Sequence, residues 1–576
     1  MATNKLLTDK HSFINEVIFH FKSGLFIIKR YLLNALTFNA RYTAHSNLNY
    51  SPVISVSESE LWNAEDTSEN WILTAGKVEN LRIALKKING IQVAAGQVFS
   101  FWTHIGNPNR LKGYVLGREI REGCVVPTVA GGLCQLSNAL YDAALKANFD
   151  IIERHKHTRV IKGSLAEQDK DATVKWNYVD LRFKADRAFQ IEASLTSDTL
   201  IVQFRSDGNN VLQNQDKLHQ TFHPSKLNDC YSCGNHSCFK HPRKANQTAK
   251  ATTTYILSGT WEEYTTYVGQ KASDRDVFII PLYKNGYKWP VKNIQNLKTI
   301  PLVAIVNAIR LRLFSKSNVF KLGLSFDRRF ALSASKKIPI ESTHLVISQN
   351  LLPFVYESGI LGGRTFDVLM TRLPFELLHQ RLNVAHTKHP ESKTLNDFRA
   401  PDSLVEVENI ALTKSEHLVT PHQEIADIFN NKSIKLDWVT PTPIKTSKKG
   451  NKILFPASAL GRKGAYEMKQ LAKDLKLKLV VLGKATEDIG FWEDVETETA
   501  GAHIFDEIGI VVYPAYIEHK PNVLLKALAS GIPVITTTAC GLHHQPNLTI
   551  LPVGDFDSLK KSFKLWQGEC DTFQNS

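Results

Sequence analysis

The chain has 576 residues, too many for one comfortable hydrophobic core, so several domains are expected. Hydrophobic residues make up 43% of it and charged residues 22%, the balance of a folded chain and not of a disordered one. The formal net charge of +14 favours anionic partners, but Lys and Arg are dispersed and not interleaved with aromatics, which argues against a nucleic-acid partner.

An odd count of seven cysteines does not suit a disulfide framework at this length. Lys5, Asp9 and Lys10 fall where a signal peptide would be apolar, and no uncharged run reaches the roughly 18 residues that span a bilayer. A cytoplasmic, reducing location is expected, with peripheral contact at the inner, anionic membrane face left open.

Residues 1–45 are expected to hold an amphipathic helix. Ile14, Val17, Ile18, Phe21, Leu25, Ile28, Leu32 and Leu36 recur at helical spacing, with Lys22, Lys29 and Arg30 between them. Such a stripe lies on anionic lipid or packs on the domain behind it, and packing is the expectation taken here.

Residues 46–208 alternate short strand-like and helical runs, an α+β domain. Within it, Gly131 and Gly132 permit a tight turn that places Cys134 in the first turn of a helix running through Leu136, Leu140 and Ala144. A thiol there meets unpaired N–H groups and the positive dipole end, which favours the thiolate. A strand-like run carries His155 and His157, and Asp171 and Asp180 fall in later strand-like pieces. Nucleophile, base and orienting carboxylate in this order suit a Cys-dependent hydrolase or transferase; equally, a free Cys is often a small buried hydrophobe.

Phe99-Ser100-Phe101-Trp102, Gly131-Gly132-Leu133-Cys134-Gln135-Leu136-Ser137-Asn138, Glu153-Arg154-His155 and Asp171-Ala172-Thr173-Val174 together resemble the VanW family over about residues 75–205. The resemblance settles kinship more than chemistry. Ala130 stands where the family commonly shows a third glycine.

Residues 209–250 read as a linker, and inside it Cys230, Cys233, Cys238 and His241 form C-x2-C-x4-C-x2-H. Two residues between thiolates let both sulfurs reach one ion, so a structural zinc is expected ahead of an iron–sulfur cluster.

After 251 short apolar strands alternate with helices, which implies parallel sheets covered on both faces in two lobes, 251–440 and 441–576. In the first lobe Gly359-Ile360-Leu361-Gly362-Gly363-Arg364 could approach a phosphate or acceptor closely, or simply turn between helix and strand. In the second, the strand ending at Phe455 leads through Gly461-Arg462-Lys463-Gly464 into a helix, a reasonable diphosphate cradle. Residues 452–543 resemble the C-terminal domain of GT-B glycosyltransferases, particularly the retaining group with an E-x7-E motif. That resemblance implies a nucleotide-sugar co-substrate, with Arg462, Lys463 and Gly464 at the diphosphate, Glu518 near the donor sugar and a glycan or envelope acceptor. The second glutamate, which would hold the ribose, falls at Lys526; Asn522 is the nearby substitute, and the alternative is a non-catalytic envelope-assembly protein with a decayed donor site.

Overall fold

The structure, a computed structural model, describes residues 13–36, 40–45, 47–62, 68–121, 124–156, 165, 169–207, 228–229, 251–259, 261–283, 289–313, 319–444, 450–484, 487–501 and 503–574. His157 and the Cys/His set Cys230, Cys233, Cys238 and His241 lie outside the described residues. Two compact units form: Met1–Thr252 with the short returns Pro339–Thr343 and Gly359–Arg364, and Thr253–Ile338 with His344–Ser358 and Thr365–Ser576.

In the first unit, strand Thr199–Arg205 buries every second side chain, the signature of a sheet with one face on the core. It pairs antiparallel with Val53–Glu60 and Phe189–Leu195, and Ile91–Val93 completes a four-stranded sheet. A second antiparallel sheet joins Val98–Ser100, Arg182–Lys184 and Asp150–Glu153. Phe149, Phe183, Phe189 and Phe204 pack with ring centroids 4.6 to 6.2 Å apart, the large-area contacts that dominate such a core. Helices Ser68–Ile88 and Leu133–Lys146 add Val78, Leu81, Leu136 and Leu140 to it.

The helix at Phe13–Leu36 forms, but its stripe does not pack as expected. Ile14, Val17, Ile18, Phe21, Leu25, Ile28 and Leu32 are all exposed. What docks the helix is polar and aromatic: Arg30 pairs with Glu153, Asn34 accepts from Arg182 at 2.9 Å, and Phe26 stacks on Tyr178 at 5.9 Å. No described helix is long and apolar enough to cross a membrane.

The Gly359–Arg364 segment is the turn between helix Leu352–Glu357 and strand Thr365–Leu369, one of its two expected readings. A Cβ at Gly362 would sit 2.8 Å from Leu195 Cβ, and one at Gly363, whose φ is +68°, 2.4 Å from Val78. Arg82 donates to the Gly362 carbonyl, and Arg364 is buried with its guanidinium bonded to the carbonyls of Ser342, Ile360 and Pro339. The glycines allow close packing inside the first unit.

The second unit holds two parallel sheets. The first has seven strands, in the order Leu297–Thr299, Val277–Ile280, Thr252–Ile256, Ser342–Ser348, Thr365–Leu369, Leu418–Thr420, Ser433–Lys435. The second has six, in the order Thr497–Thr499, Leu479–Val481, Lys452–Phe455, Ile508–Tyr513, Val534–Thr537, Leu548–Leu551. Strands such as Val277–Ile280 and Val534–Thr537 are buried at every position, because helices cover both faces. In each sheet the chain starts centrally, winds out to one edge and then to the other, so each has a switch point between its first and fourth strands. Loops at the carboxyl ends of the strands part there, which is where open α/β sheets take ligands.

Candidate functional site

Cys134 lies in the first turn of Leu133–Lys146, directly after Gly132 at φ +98°. The turn is forced by close approach. A Cβ on Gly131 would meet the Gly117 carbonyl at 2.4 Å, and one on Gly132 the Lys77 side chain at 2.1 Å. Buried Asn80 pins it, donating to the carbonyls of Val115 and Gly131 at 3.1 and 3.0 Å and accepting from Val115 N at 2.9 Å. Ala130 has φ +61°, which explains a preference for glycine at that position.

The polar residues of the motif hold a strap rather than a substrate. Asn138 accepts from Ala172 N at 2.8 Å, Ser137 donates to Ala172 O at 2.5 Å, and Gln135 donates to Ser59 and to Glu60 O. The segment 171–174 is thereby laid along the helix, and the half-buried Cys134 Sγ is 3.7 Å from both Thr173 Oγ1 and Val174 O.

The expected partners of the thiol are placed differently from the sequence reading. His155 follows the strand Asp150–Glu153, is largely exposed, and bonds Glu153 at 3.2 Å. Asp180 is a capping carboxylate: it accepts from Ser100 Oγ at 2.7 Å, Trp102 N at 3.1 Å and Arg182 Nε at 2.9 Å. Asp171 is buried, and its carbonyl accepts from Arg154 at 2.6 Å. Neither His155 nor Asp180 forms a hydrogen bond with Cys134, so a relay through these two residues is not assembled.

In the second unit the predicted residues converge. Gly461–Lys463 makes a 3-10 turn after strand Lys452–Phe455, and Gly464 at φ +77° starts helix Ala465–Leu475. A Cβ there would lie 2.1 Å from the Pro514 carbonyl, so only glycine lets this loop approach the one following Ile508–Tyr513. Lys463 Nζ reaches Glu518 Oε2 at 2.8 Å. The same carboxylate accepts from Tyr513 Oη at 2.6 Å and from the backbone N of His519 and Lys520 at 2.9 and 3.1 Å. Burial pushes the Glu518 carboxyl up, but the Lys463 charge and these donors outweigh it, holding the group below the usual carboxylate range.

Arg462 lies over the Phe398 ring at 4.5 Å, and its Nη1 is enclosed with no hydrogen-bond partner among the described residues. His519 Nε2 is likewise enclosed and unpartnered. Burial first, then the charge of Lys463, pushes the His519 imidazole down to about 3, with Arg372 and His422 adding to the effect against Glu518. His422 Nε2 faces two carbonyls, Glu518 O and Ala539 O, both at 3.1 Å, so that nitrogen carries the proton. Asn522 and Lys526 are exposed on helix Asn522–Ala529.

Several residues here were not singled out from sequence. Glu487 accepts from Gly461 N at 2.5 Å, Ser392 Oγ at 2.9 Å and Lys393 N at 3.1 Å, tying the phosphate-type loop to the first lobe. Arg372 lies in the loop between strand Thr365–Leu369 and helix Phe375–Lys388 and is paired with buried Glu408 at 2.7 Å. Asp327 accepts from Asn350 at 2.6 Å, and burial raises its carboxyl to about 7 against the opposing pull of Asn350 and Arg372. None sits in a motif; Glu487 and Arg372 come from loops and Asp327 from helix Val319–Ser335, brought in by folding.

Residues 76–205 match the family model for VanW like protein, so this stretch is a VanW-like domain. The Vancomycin B-type resistance protein VanW of Enterococcus faecalis is 30% identical over 149 residues, 25% of this chain and 54% of that protein. The uncharacterized protein YoaR of Bacillus subtilis is 34% identical over 105 residues, 18% of this chain and 34% of that one. The chain therefore spans about half and about a third of these curated relatives. Among solved structures, sucrose-phosphate synthase from Thermosynechococcus elongatus aligns with 55% of this chain and 90% of its own at 12% identity and a TM-score of 0.35. WaaG, a glycosyltransferase of lipopolysaccharide biosynthesis, aligns with 55% and 90% at 13% identity and 0.31. TcCGT1, solved in complex with UDP, aligns with 57% and 94% at 12% identity and 0.32.

Proposed function

We propose that the two parallel-sheet lobes of the second unit transfer a glycosyl group from a nucleoside-diphosphate sugar to a hydroxyl of an envelope or polysaccharide acceptor. One observation carries this reading: at the switch point of the six-stranded sheet, Arg462, Lys463 and His519 gather, two of them with enclosed and unpartnered nitrogens. Burying the Arg462 N–H donor without a partner costs about 1–3 kcal/mol, a cost that a bound diphosphate would offset.

The chemistry is largely positional and electrostatic. As the acceptor oxygen bonds to the anomeric carbon and the bond to the diphosphate breaks, Arg462 and Lys463 stabilise the departing charge. Lys463 shifts from Glu518 toward the phosphates, which frees the Glu518 carboxylate for the donor sugar. The proton of the acceptor hydroxyl passes to the departing diphosphate oxygen, so the step balances between acceptor and leaving group.

Saturation-transfer NMR with UDP and GDP tests the donor site, and binding of neither would end this reading. A second reading, a nucleotide-binding assembly protein without turnover, is favoured by exposed Lys526 at the ribose position; it predicts nucleotide binding with no hydrolysis or transfer from any donor.

A further inference from the structure

The opposite end of the seven-stranded sheet carries a cluster that the transfer reading does not use. His344 is the third residue of Ser342–Ser348, Asp367 the third of Thr365–Leu369, and Glu416 and His417 immediately precede Leu418–Thr420. Three adjacent parallel strands thus bring two imidazoles and two carboxylates together near their amino ends. The cationic cleft lies at the carboxyl ends.

The geometry is that of a ligand set. His344 Nε2 is 3.5 Å from Asp367 Oδ2, and its Nδ1 is 3.6 Å from Glu416 Oε2. One ligating atom from each of His344, Asp367 and Glu416 lies within 4.8 Å of the others. Bonds of about 2.0–2.2 Å to a tetrahedral ion place its ligands about 3.3–3.5 Å apart; the two carboxylates face different nitrogens of His344, so side-chain rotation to a common nitrogen, within the 4.8 Å spread, closes the set.

Outer partners orient it as well. Thr365 Oγ1 is 2.8 Å from His344 Nδ1, which helps hold the plane of the imidazole. His417 Nδ1 holds the other oxygen of Asp367 at 3.0 Å. Asp367 is buried, whereas His344, Glu416 and His417 keep side-chain exposures of 27, 47 and 49%, so an ion can enter from solvent.

We infer that His344, Asp367 and Glu416 form a binding site for a divalent first-row transition cation of the zinc class, supported by Thr365 and His417. An imidazole with two carboxylates suits zinc better than magnesium or calcium, which take all-oxygen sets. Three protein ligands leave a fourth position for water. Bound there, the ion cross-links three strands far along the chain from one another and stabilises the first lobe by mass action.

Cobalt(II) substitution of the chelator-stripped full chain tests the site. The Cys230 cluster is silenced by combining Cys230→Ser, Cys233→Ser and Cys238→Ser. In that background one equivalent of Co2+ is expected to give visible d–d absorption without thiolate charge-transfer bands, and Zn2+ to raise the melting temperature. His344→Asn is expected to abolish both signals. Glu416→Gln, a near-isosteric change at a half-exposed residue, is expected to weaken Co2+ binding at least tenfold, and His417→Gln by about 10–100-fold. Absence of Co2+ absorption in the triple-Ser background, or unchanged Co2+ affinity in folded Glu416→Gln and His344→Asn, would overturn the assignment.

Discussion

Replacing His519 by Gln isolates the electrostatic character of the cleft. The His519 imidazole is held at about 3, because its burial and the neighbouring Lys463 and Arg372 charges disfavour a proton. Unfolded, it titrates near 6.5. Between these values the unfolded chain binds a proton that the folded chain does not, so stability falls as pH drops from about 6.5 toward 3. Between pH 7 and pH 5 the unfolded imidazole goes from mostly neutral to mostly charged, and the native one stays neutral. With about 1.36 kcal/mol per unit, the loss over that interval is about 2 kcal/mol.

The Gln variant lacks this term. Urea unfolding of both proteins at pH 7 and pH 5, followed at the transition of the unit that holds His519, measures the double difference. The wild type is expected to lose about 2 kcal/mol more than the variant. Glu518 leaves this window undisturbed. Its carboxyl is depressed when folded, so its contribution is present above its unfolded value of about 4.3 and is lost only as pH falls below that. Equal pH dependence in the two proteins would refute a buried neutral imidazole among cations.

Gly464→Ala places a Cβ at φ +77° and 2.1 Å from the Pro514 carbonyl. It is expected to cost at least about 2 kcal/mol in thermal unfolding and to remove stabilisation by UDP. At Ala130, where φ is already +61°, Val is expected to cost about 2 kcal/mol or more, while Gly stays within about 1 kcal/mol of wild type because relieved strain and added chain entropy oppose each other. Thermal denaturation of the three proteins decides it. Lys526→Glu restores an acceptor for ribose hydroxyls and is expected to tighten UDP binding about tenfold by calorimetry; unchanged affinity would remove the ribose from this helix face.

Much of the candidate site was legible in the sequence because turn chemistry is local. Gly461, Gly464 and the cations between them announce a strand–turn–helix before any contact is known, and Gly131-Gly132 does the same for Cys134. What was not legible depends on partners distant in the chain. Glu487 and Asn80 sit in unremarkable stretches, yet each pins a glycine turn with its buried side chain. The reading of His155 and Asp180 as partners of Cys134 went astray for the same reason. Order along a chain says nothing about which atoms face one another, and Asp180 is spent on capping the helix Phe101–Ile105.

By itself the sequence determined the classes of structure: an α+β domain, then two parallel sheets, since alternation and continuous apolar runs report directly how many faces of a strand are buried. It also determined where the chain must turn, through glycines whose φ no other residue adopts freely. The tertiary structure alone decided the pairing of side chains. It turned the apolar stripe of Phe13–Leu36 outward, packed the glycines of Gly359–Arg364 against Val78 and Leu195, joined Lys463 to Glu518, and drew His344, Asp367 and Glu416 from three strands to one place. Periodicity is a property of neighbours in sequence, whereas these contacts depend on how separately formed strands and helices are aligned in space.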